Sequence, residues 1–153
     1  MSGSLEPLRG EEIFNTPPAR LFEALTDLDD LARNIPDVQS ASRIDAQTLL
    51  CTVKPGFSFL RGTLKSRICL LEARPQEHVR LSVSATGIGM GMEIDARLTI
   101  QPHEQGRKSR LLWEAQVTSR SGLISAVPAG LILGAAEKTV REGWEKLRRR
   151  VEG

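Results

Sequence analysis

The sequence contains no tyrosine, and phenylalanine and tryptophan together bring the aromatic residues to only 4% of the chain. Proteins that bind single-stranded nucleic acid stack bases on aromatic side chains, so this scarcity argues against that class. The formal net charge is only +2. Basic residues cluster near the chain end, around Lys146 and Arg148 to Arg150, where cations suit the negative end of a helix dipole. We therefore expect no nucleic-acid partner.

Cysteine and histidine are also scarce, with two of each. Cys51 and Cys69 lie in apolar runs, and we expect both to be reduced core residues rather than a disulfide. His78 and His103 stand beside predicted turns and have no second histidine or cysteine at the spacing of metal ligands. The sequence therefore predicts no metal and no cofactor.

No apolar run is long enough to span a bilayer. The longest uncharged segment, Ser121 to Ala136, has 16 residues and is interrupted by proline and glycine, whereas a spanning helix needs about 20 residues. Residues 1–10 lack the apolar core of a signal peptide. We expect a cytoplasmic protein with at most peripheral contact at the inner face of the membrane.

The composition that is present, 40% hydrophobic and 26% charged in 153 residues, is typical of a globular protein. It predicts one domain over residues 1–153, with residues 1–8 flexible. Thr16 followed by two prolines signals a helix start, and Pro36 ends a second helix because proline disfavours helical backbone in the residue before it. The predicted N-terminal elements are a strand over Glu11–Asn15 and helices over Pro18–Thr26 and Asp27–Asn34.

The middle of the chain alternates between apolar and polar residues, which predicts strands with one buried face. The predicted strands are Val38–Ile44, Leu49–Lys54, Thr63–Glu72, His78–Thr86, Met90–Ile100 and Ser109–Thr118. Short turns between them indicate an antiparallel meander of about seven strands.

A long C-terminal helix is predicted over Leu123–Val151. Its second half keeps apolar residues only at Val140, Trp144, Leu147 and Val151, which form one helical stripe. Its first half is apolar all round and contains Pro128, which we expect to kink the helix and to let the first turn move as a lid. Strand, two helices, six strands and a long helix make an α+β helix-grip fold, whose curved sheet commonly leaves space for an apolar ligand.

The alternation also predicts which side chains face this space. The predicted wall consists of Leu49, Cys51, Val53, Leu64, Ser66, Ile68, Leu81, Val83, Met92, Ile94 and Trp113 from the sheet, with Ile124, Val127 and Leu131 from the helix. Gly87 to Gly91 predicts a mobile strand connection, in which Met90 and Met92 would form an apolar gate. The alternative is that these side chains fill the core and leave no cavity.

Groups able to move protons should face away from the cavity. Glu93 and Asp95 alternate with Met92 and Ile94, and Lys65 and Arg67 are likewise out of phase with the apolar set. Separately, Phe57, Phe59 and Leu60 form an apolar tip between two strands. That tip is either folded back over the barrel mouth or exposed to a partner or bilayer.

Several segments in this order resemble CoxG, a family of carbon monoxide dehydrogenase subunits within the START-like, polyketide cyclase-related superfamily, known as SRPBCC. The matching segments are Thr16-Pro17-Pro18, Ile35-Pro36-Asp37, Val53 to Gly56, the glycines at 87, 89 and 91, and Gly134-Ala135-Ala136. Asp37 stands where the family usually has glycine, and the hydrophobic C-terminal tail that many members use for membrane attachment does not follow Gly153.

The resemblance implies a non-catalytic accessory protein with an apolar cavity. It implies a role in assembly, membrane recruitment or quinone supply of a molybdenum hydroxylase-type dehydrogenase, with a quinone or lipid as the bound molecule. Two alternatives remain at this point. One is an enzyme of the polyketide cyclase or aromatase kind, which would need a carboxylate or histidine in the cavity, and the other is a pure protein interaction module.

Overall fold

A computed structural model describes residues 5–54 and 62–152. It contains a seven-stranded antiparallel sheet in the order β1-β7-β6-β5-β4-β3-β2, so the first strand returns to pair with the last. The strands are β1 Leu8–Phe14, β2 Val38–Arg43, β3 Thr48–Val53, β4 Leu64–Arg74, β5 His78–Gly87, β6 Met90–His103 and β7 Lys108–Gly122. The helices are α1 Pro18–Thr26, α2 Leu28–Asn34 and α3 Ala129–Glu152. The predicted helix-grip fold is confirmed.

The inner face of the sheet is built from cross-strand apolar pairs. Ile68 of β4 faces Val83 of β5, and Val83 in turn faces Ile94 of β6. Register shifts at 38/40, 70/72 and 93/94 interrupt the ladder. Such bulges bend a strand and increase its twist, which helps the sheet curve around the helix that covers it.

The first strand begins earlier than the sequence predicted, at Leu8 rather than Glu11. Leu5, within the segment predicted to be flexible, is 8% exposed and donates its backbone N–H to the Val117 carbonyl at 2.9 Å. In β1, Gly10 lies against Trp113 of β7 so closely that a Cβ at Gly10 would be 2.6 Å from the indole ring. The glycine therefore makes room for the tryptophan.

The start of α1 differs from the predicted cap. Pro17, not Thr16, occupies the N-cap position, and no side chain caps this helix. Thr16 is instead buried at 4% exposure, and its carbonyl accepts a hydrogen bond from the Ser109 hydroxyl at 2.7 Å. The second helix does have a side-chain cap, because the Asp27 carboxylate accepts the N–H groups of the residues two and three positions later.

The C-terminal helix is shorter than predicted. Leu123–Ala126 forms a separate turn of 3₁₀-helix, and α3 begins only at Ala129. The Pro128 carbonyl accepts the N–H groups of Leu131 and Ile132 at 3.0 and 3.3 Å, so the proline precedes the helix. A proline at a helix start costs no hydrogen bond, because the first N–H groups have no intrahelical partner. The predicted kink at Pro128 was therefore wrong.

The glycine-rich connection is a tight hairpin turn. Ile88 and Gly89 have φ values of 57° and 73°, as a two-residue hairpin requires. The Gly89 carbonyl accepts the Leu123 N–H at 3.0 Å, and Met90 is 7% exposed. The hairpin is thus tied to the segment that leads into α3.

Candidate functional site

A cavity of about 400 Å³ lies between the inner face of the sheet and α3. Side chains from strands β3 to β7 form one wall, and α3 together with the end of α2 forms the other. The buried core divides into two clusters, and residues from both border the cavity. One cluster contains Phe14 and Leu147, and the other contains Met90, Ile124 and Ile132. The space is therefore a gap in the core rather than a groove on the surface.

Most of the predicted inward set lies on the cavity wall. The members that do are Cys51, Val53, Leu64, Ser66, Ile68, Leu81, Val83, Met92, Ile94, Trp113 and Ile124. The alternation of the strands placed these side chains because residues two apart share a face of a sheet.

Four predicted wall residues do not line the cavity. Leu49 is 1% exposed and Met90 is 7% exposed, and both are packed inside the core clusters, so Met90 does not form a gate. Val127 packs beside the second cluster, in the short link before α3. Leu131 is 54% exposed. Because α3 begins at Ala129, its phase directs Ile132 and Leu133 to the cavity and leaves Leu131 in solvent.

The sequence missed the wall that the helices provide. From α3 it includes small residues such as Ala136 and Gly143, and from α2 it includes Leu31 and Asn34. One signal could have found part of it, because the stripe of Val140, Trp144 and Leu147 extends backwards at helical spacing to Leu133 and Ala136. The remaining wall residues are Glu6, Leu8, Leu25, Ile35, Pro36, Asp37, Ala85, Ala96, Leu98, Glu114, Ala115, Val117, Ile132, Ala135 and Thr139.

The charged residues of the central strands lie on the outer face, as predicted. Asp95 pairs with Arg80 at 3.0 Å and with Arg97 at 3.4 Å. Glu93 accepts a hydrogen bond from the Ser84 hydroxyl at 3.0 Å, and Arg67 is exposed. None of these groups borders the cavity. The acids that do border it are Glu6 and Asp37, which are exposed, and Glu114, which pairs with Arg9 at 2.8 Å.

The polar atoms of the wall are few. Cys51 is a free, buried thiol whose pKa is raised by burial, because removal from water disfavours the thiolate. The Thr139 hydroxyl already donates to the Ala135 carbonyl at 3.0 Å. Within the described part of the chain, three buried atoms on wall residues have no hydrogen-bond partner, namely Asn34 Oδ1, Trp113 Nε1 and Trp144 Nε1. The wall is apolar with a small number of unsatisfied polar atoms.

Other predictions concern metal and membrane binding. Over residues 5–54 and 62–152, no group of His, Cys, Asp and Glu side chains could hold a metal ion. His78 and His103 lie at the start of β5 and the end of β6. No helix in the same ranges is both long enough and apolar enough to cross a membrane. Phe57, Phe59 and Leu60, the predicted partner or membrane contact, lie outside the described residues.

Comparisons with known proteins agree on family and fold. The model of the CoxG family of carbon monoxide dehydrogenase subunits matches residues 10–152. A conserved protein from Geobacillus kaustophilus has a similar structure, with a TM-score of 0.86 at 15% identity, over 96% of this chain and 95% of that one. A START superfamily protein from Mycobacterium smegmatis has a TM-score of 0.71 at 12% identity, over 95% and 97%. No curated protein sequence matches significantly.

Proposed function

Because this chain belongs to the CoxG family of carbon monoxide dehydrogenase subunits, we propose that it binds an apolar small molecule between α3 and the sheet and serves a dehydrogenase without catalysing a reaction itself. A quinone or a lipid is the kind of molecule that this cavity would hold. The partner in this proposal is a molybdenum hydroxylase-type dehydrogenase, which the protein would assist in assembly, membrane recruitment or quinone supply.

The observation that carries the binding proposal is the cavity itself. Its volume of about 400 Å³ falls in the range of roughly 300 to 1,000 Å³ that small-molecule sites occupy. Its wall is formed mainly by Leu, Ile, Val, Ala, Met and Trp side chains. An apolar molecule that enters such a wall removes apolar surface from water on both sides, which stabilises the complex.

The chemistry of the wall favours a binder over a cyclase or hydrolase. General acid–base catalysis needs a titratable side chain within hydrogen-bond reach of the reacting atoms. The carboxylates of the central strands, Glu93 and Asp95, lie on the opposite face, and Glu114 is held by Arg9. The polar groups left in the interior are hydroxyl, thiol, amide and indole groups, which bind and orient a molecule better than they move its protons.

Native mass spectrometry of the purified protein tests whether the cavity is occupied. We expect an adduct of an apolar molecule, or uptake of added 1,4-naphthoquinone or oleic acid. Ala85 is 5% exposed and lines the cavity, so Ala85→Phe should fill the space and abolish the adduct. The neighbouring Thr86 is exposed, so Thr86→Phe is the matched control and should keep it. Equal adducts in the two variants would contradict the cavity as the site.

The accessory role needs a separate experiment. The dehydrogenase encoded with this protein should reduce a membrane quinone faster when the wild-type protein or Thr86→Phe is added. Ala85→Phe should give no acceleration, because it would carry no quinone. If Ala85→Phe accelerates the reaction as well as wild type, the protein acts through its surface, and the interaction-module alternative is supported instead.

A further inference from the structure

Asn34 is a buried polar residue on an otherwise apolar wall. It ends α2, is 6% exposed, and borders the cavity between that helix and α3. Its Oδ1 atom has no hydrogen-bond partner among residues 5–54 and 62–152. A buried acceptor without a partner costs free energy, so a molecule that supplies a donor here gains more than an equally sized molecule that does not.

The orientation of the Asn34 amide is fixed by its neighbour. Its Nδ2 atom donates to the Asp30 carbonyl, one helical turn earlier, at 3.0 Å. If the amide were flipped, two acceptor oxygens would face each other at that distance, which is unfavourable. The side chain therefore keeps its NH₂ group on the helix and leaves the carbonyl oxygen, an acceptor only, as its unsatisfied group.

A second unsatisfied atom belongs to α3 near the same place. A Cβ at Gly143 would lie 3.7 Å from the Asn34 backbone carbonyl, so the two helices are close there. The next residue, Trp144, also lines the cavity, and its buried Nε1–H lacks an acceptor in the described chain. This end of the cavity thus carries an unmet acceptor and an unmet donor. A hydroxyl group has the complementary donor and acceptor.

We propose that the cavity selects apolar molecules that carry a hydroxyl group, and that Asn34 Oδ1 accepts the hydroxyl hydrogen. Phenols, quinols and long-chain alcohols belong to this class, whereas their methyl ethers do not. The proposal rests on the proposed function, since it names the chemistry of the molecule bound in the same cavity. It adds that α2 supplies the polar recognition, while the sheet supplies the apolar surface.

Equilibrium dialysis with 2-naphthol and 2-methoxynaphthalene tests this selection. The two probes share a ring system and an oxygen acceptor, but only 2-naphthol has a donor. We expect the ratio of their affinities to favour 2-naphthol roughly tenfold more in wild type than in Asn34→Leu, which keeps the bulk but removes the acceptor. Comparing ratios between the two proteins cancels the different solvation of the probes.

Two further variants act as controls. Thr139→Val removes another wall hydroxyl, one already bonded to the Ala135 carbonyl, and should leave the ratio unchanged. Trp144→Phe removes the indole N–H and should weaken both probes alike. If Asn34→Leu does not fold, wild-type NMR still decides, because 2-naphthol should shift the Asn34 side-chain amide resonances and 2-methoxynaphthalene should not.

The outcomes separate this inference from the proposed function. If both probes bind and their affinity ratio is the same in wild type and Asn34→Leu, the Asn34 inference is overturned while cavity binding stands. A ratio that collapses in Thr139→Val but not in Asn34→Leu also overturns it. If neither probe binds the wild-type protein, both the inference and the proposed function fail.

Discussion

The two halves of α3 are packed very differently. In the second half, Leu147 is 2% exposed and Val151 is 9% exposed, and both belong to the main core cluster with Phe14 and α1. In the first half, Leu131 is 54% exposed. One half therefore attaches the helix to the body of the protein, while the other forms a wall over the cavity.

The attachment of the second half also has a polar part. Arg148 pairs with Glu12 of β1 at 2.6 Å, and its guanidinium carbon lies 4.8 Å from the centre of the Phe14 ring. Trp144 packs edge-on against the same ring, with centroids 6.3 Å apart. In the first half, the ion pair of Arg141 with Glu137 stays within the helix and is exposed. Only the second half is bound to β1 by side-chain charges and rings in the described structure.

This difference shows how a helix-grip protein can keep a cavity without losing its fold. A completely packed helix would fill the interior, and a completely loose one would not stay folded. Concentrating the packing in the second half leaves the first half free to contribute small side chains, such as Ala135 and Ala136, to the wall. Stability and binding capacity thus reside in separate segments of one element.

The largest expected effect comes from truncating one leucine in each half. Leu147→Ala should lower the free energy of unfolding by about 2 to 5 kcal/mol, because it removes buried methyl groups from a packed cluster. Leu131→Ala should cost less than about 0.5 kcal/mol, as is usual for exposed positions. Urea unfolding followed by circular dichroism measures both. Equal losses would mean that the two halves are packed alike.

Removing the charged attachment should have an intermediate effect. Arg148→Met keeps the aliphatic length but removes the contacts with Glu12 and the Phe14 ring, and it should cost about 1 to 2 kcal/mol. The matched control is Arg141→Met, which breaks only an exposed pair within the helix and should cost less than about 0.5 kcal/mol. A control loss as large as that of Arg148→Met would contradict a special role for the β1 contact.

Alanine in place of glycine should report on the helical state of each half. A Cβ at Gly134 meets nothing within 4 Å, and one at Gly143 makes an ordinary contact of 3.7 Å. Both substitutions should therefore raise the free energy of unfolding by about 0.5 to 1 kcal/mol, since alanine loses less entropy in a helix. A gain for Gly143→Ala without one for Gly134→Ala would show that the first half is frayed in solution.

The sheet was the part that the sequence predicted well. Residues two apart share a face, so the alternation in β4 to β6 identified wall residues such as Ile68, Val83 and Ile94 without any knowledge of the fold. The second half of α3 was equally clear, because its apolar residues form one stripe. In both cases polar neighbours mark which side is wet, and that contrast carries the information.

The first half of α3 lacks this contrast, and there the prediction failed. Leu131, Ile132 and Leu133 are consecutive apolar residues, so their spacing does not tell which one faces inward. The answer depends on where the helix begins, which Pro128 sets through its missing N–H. The contribution of Asn34 was also hidden, because its contact region on α3 is more than a hundred residues away in the sequence.

The smallest effect concerns the reactivity of Cys51, on the wall opposite α3. The thiolate is the form that alkylating reagents attack, and burial raises the pKa of this thiol. In a Cys69→Ser background, N-ethylmaleimide should therefore modify Cys51 several-fold more slowly than a free thiol at neutral pH. The rate should rise at a higher pH than for a free thiol, because deprotonation of the buried group is delayed. A bound cavity ligand should slow it further without affecting stability at neutral pH through this group, and fast alkylation at neutral pH would show that the first half of α3 opens the cavity readily to reagents.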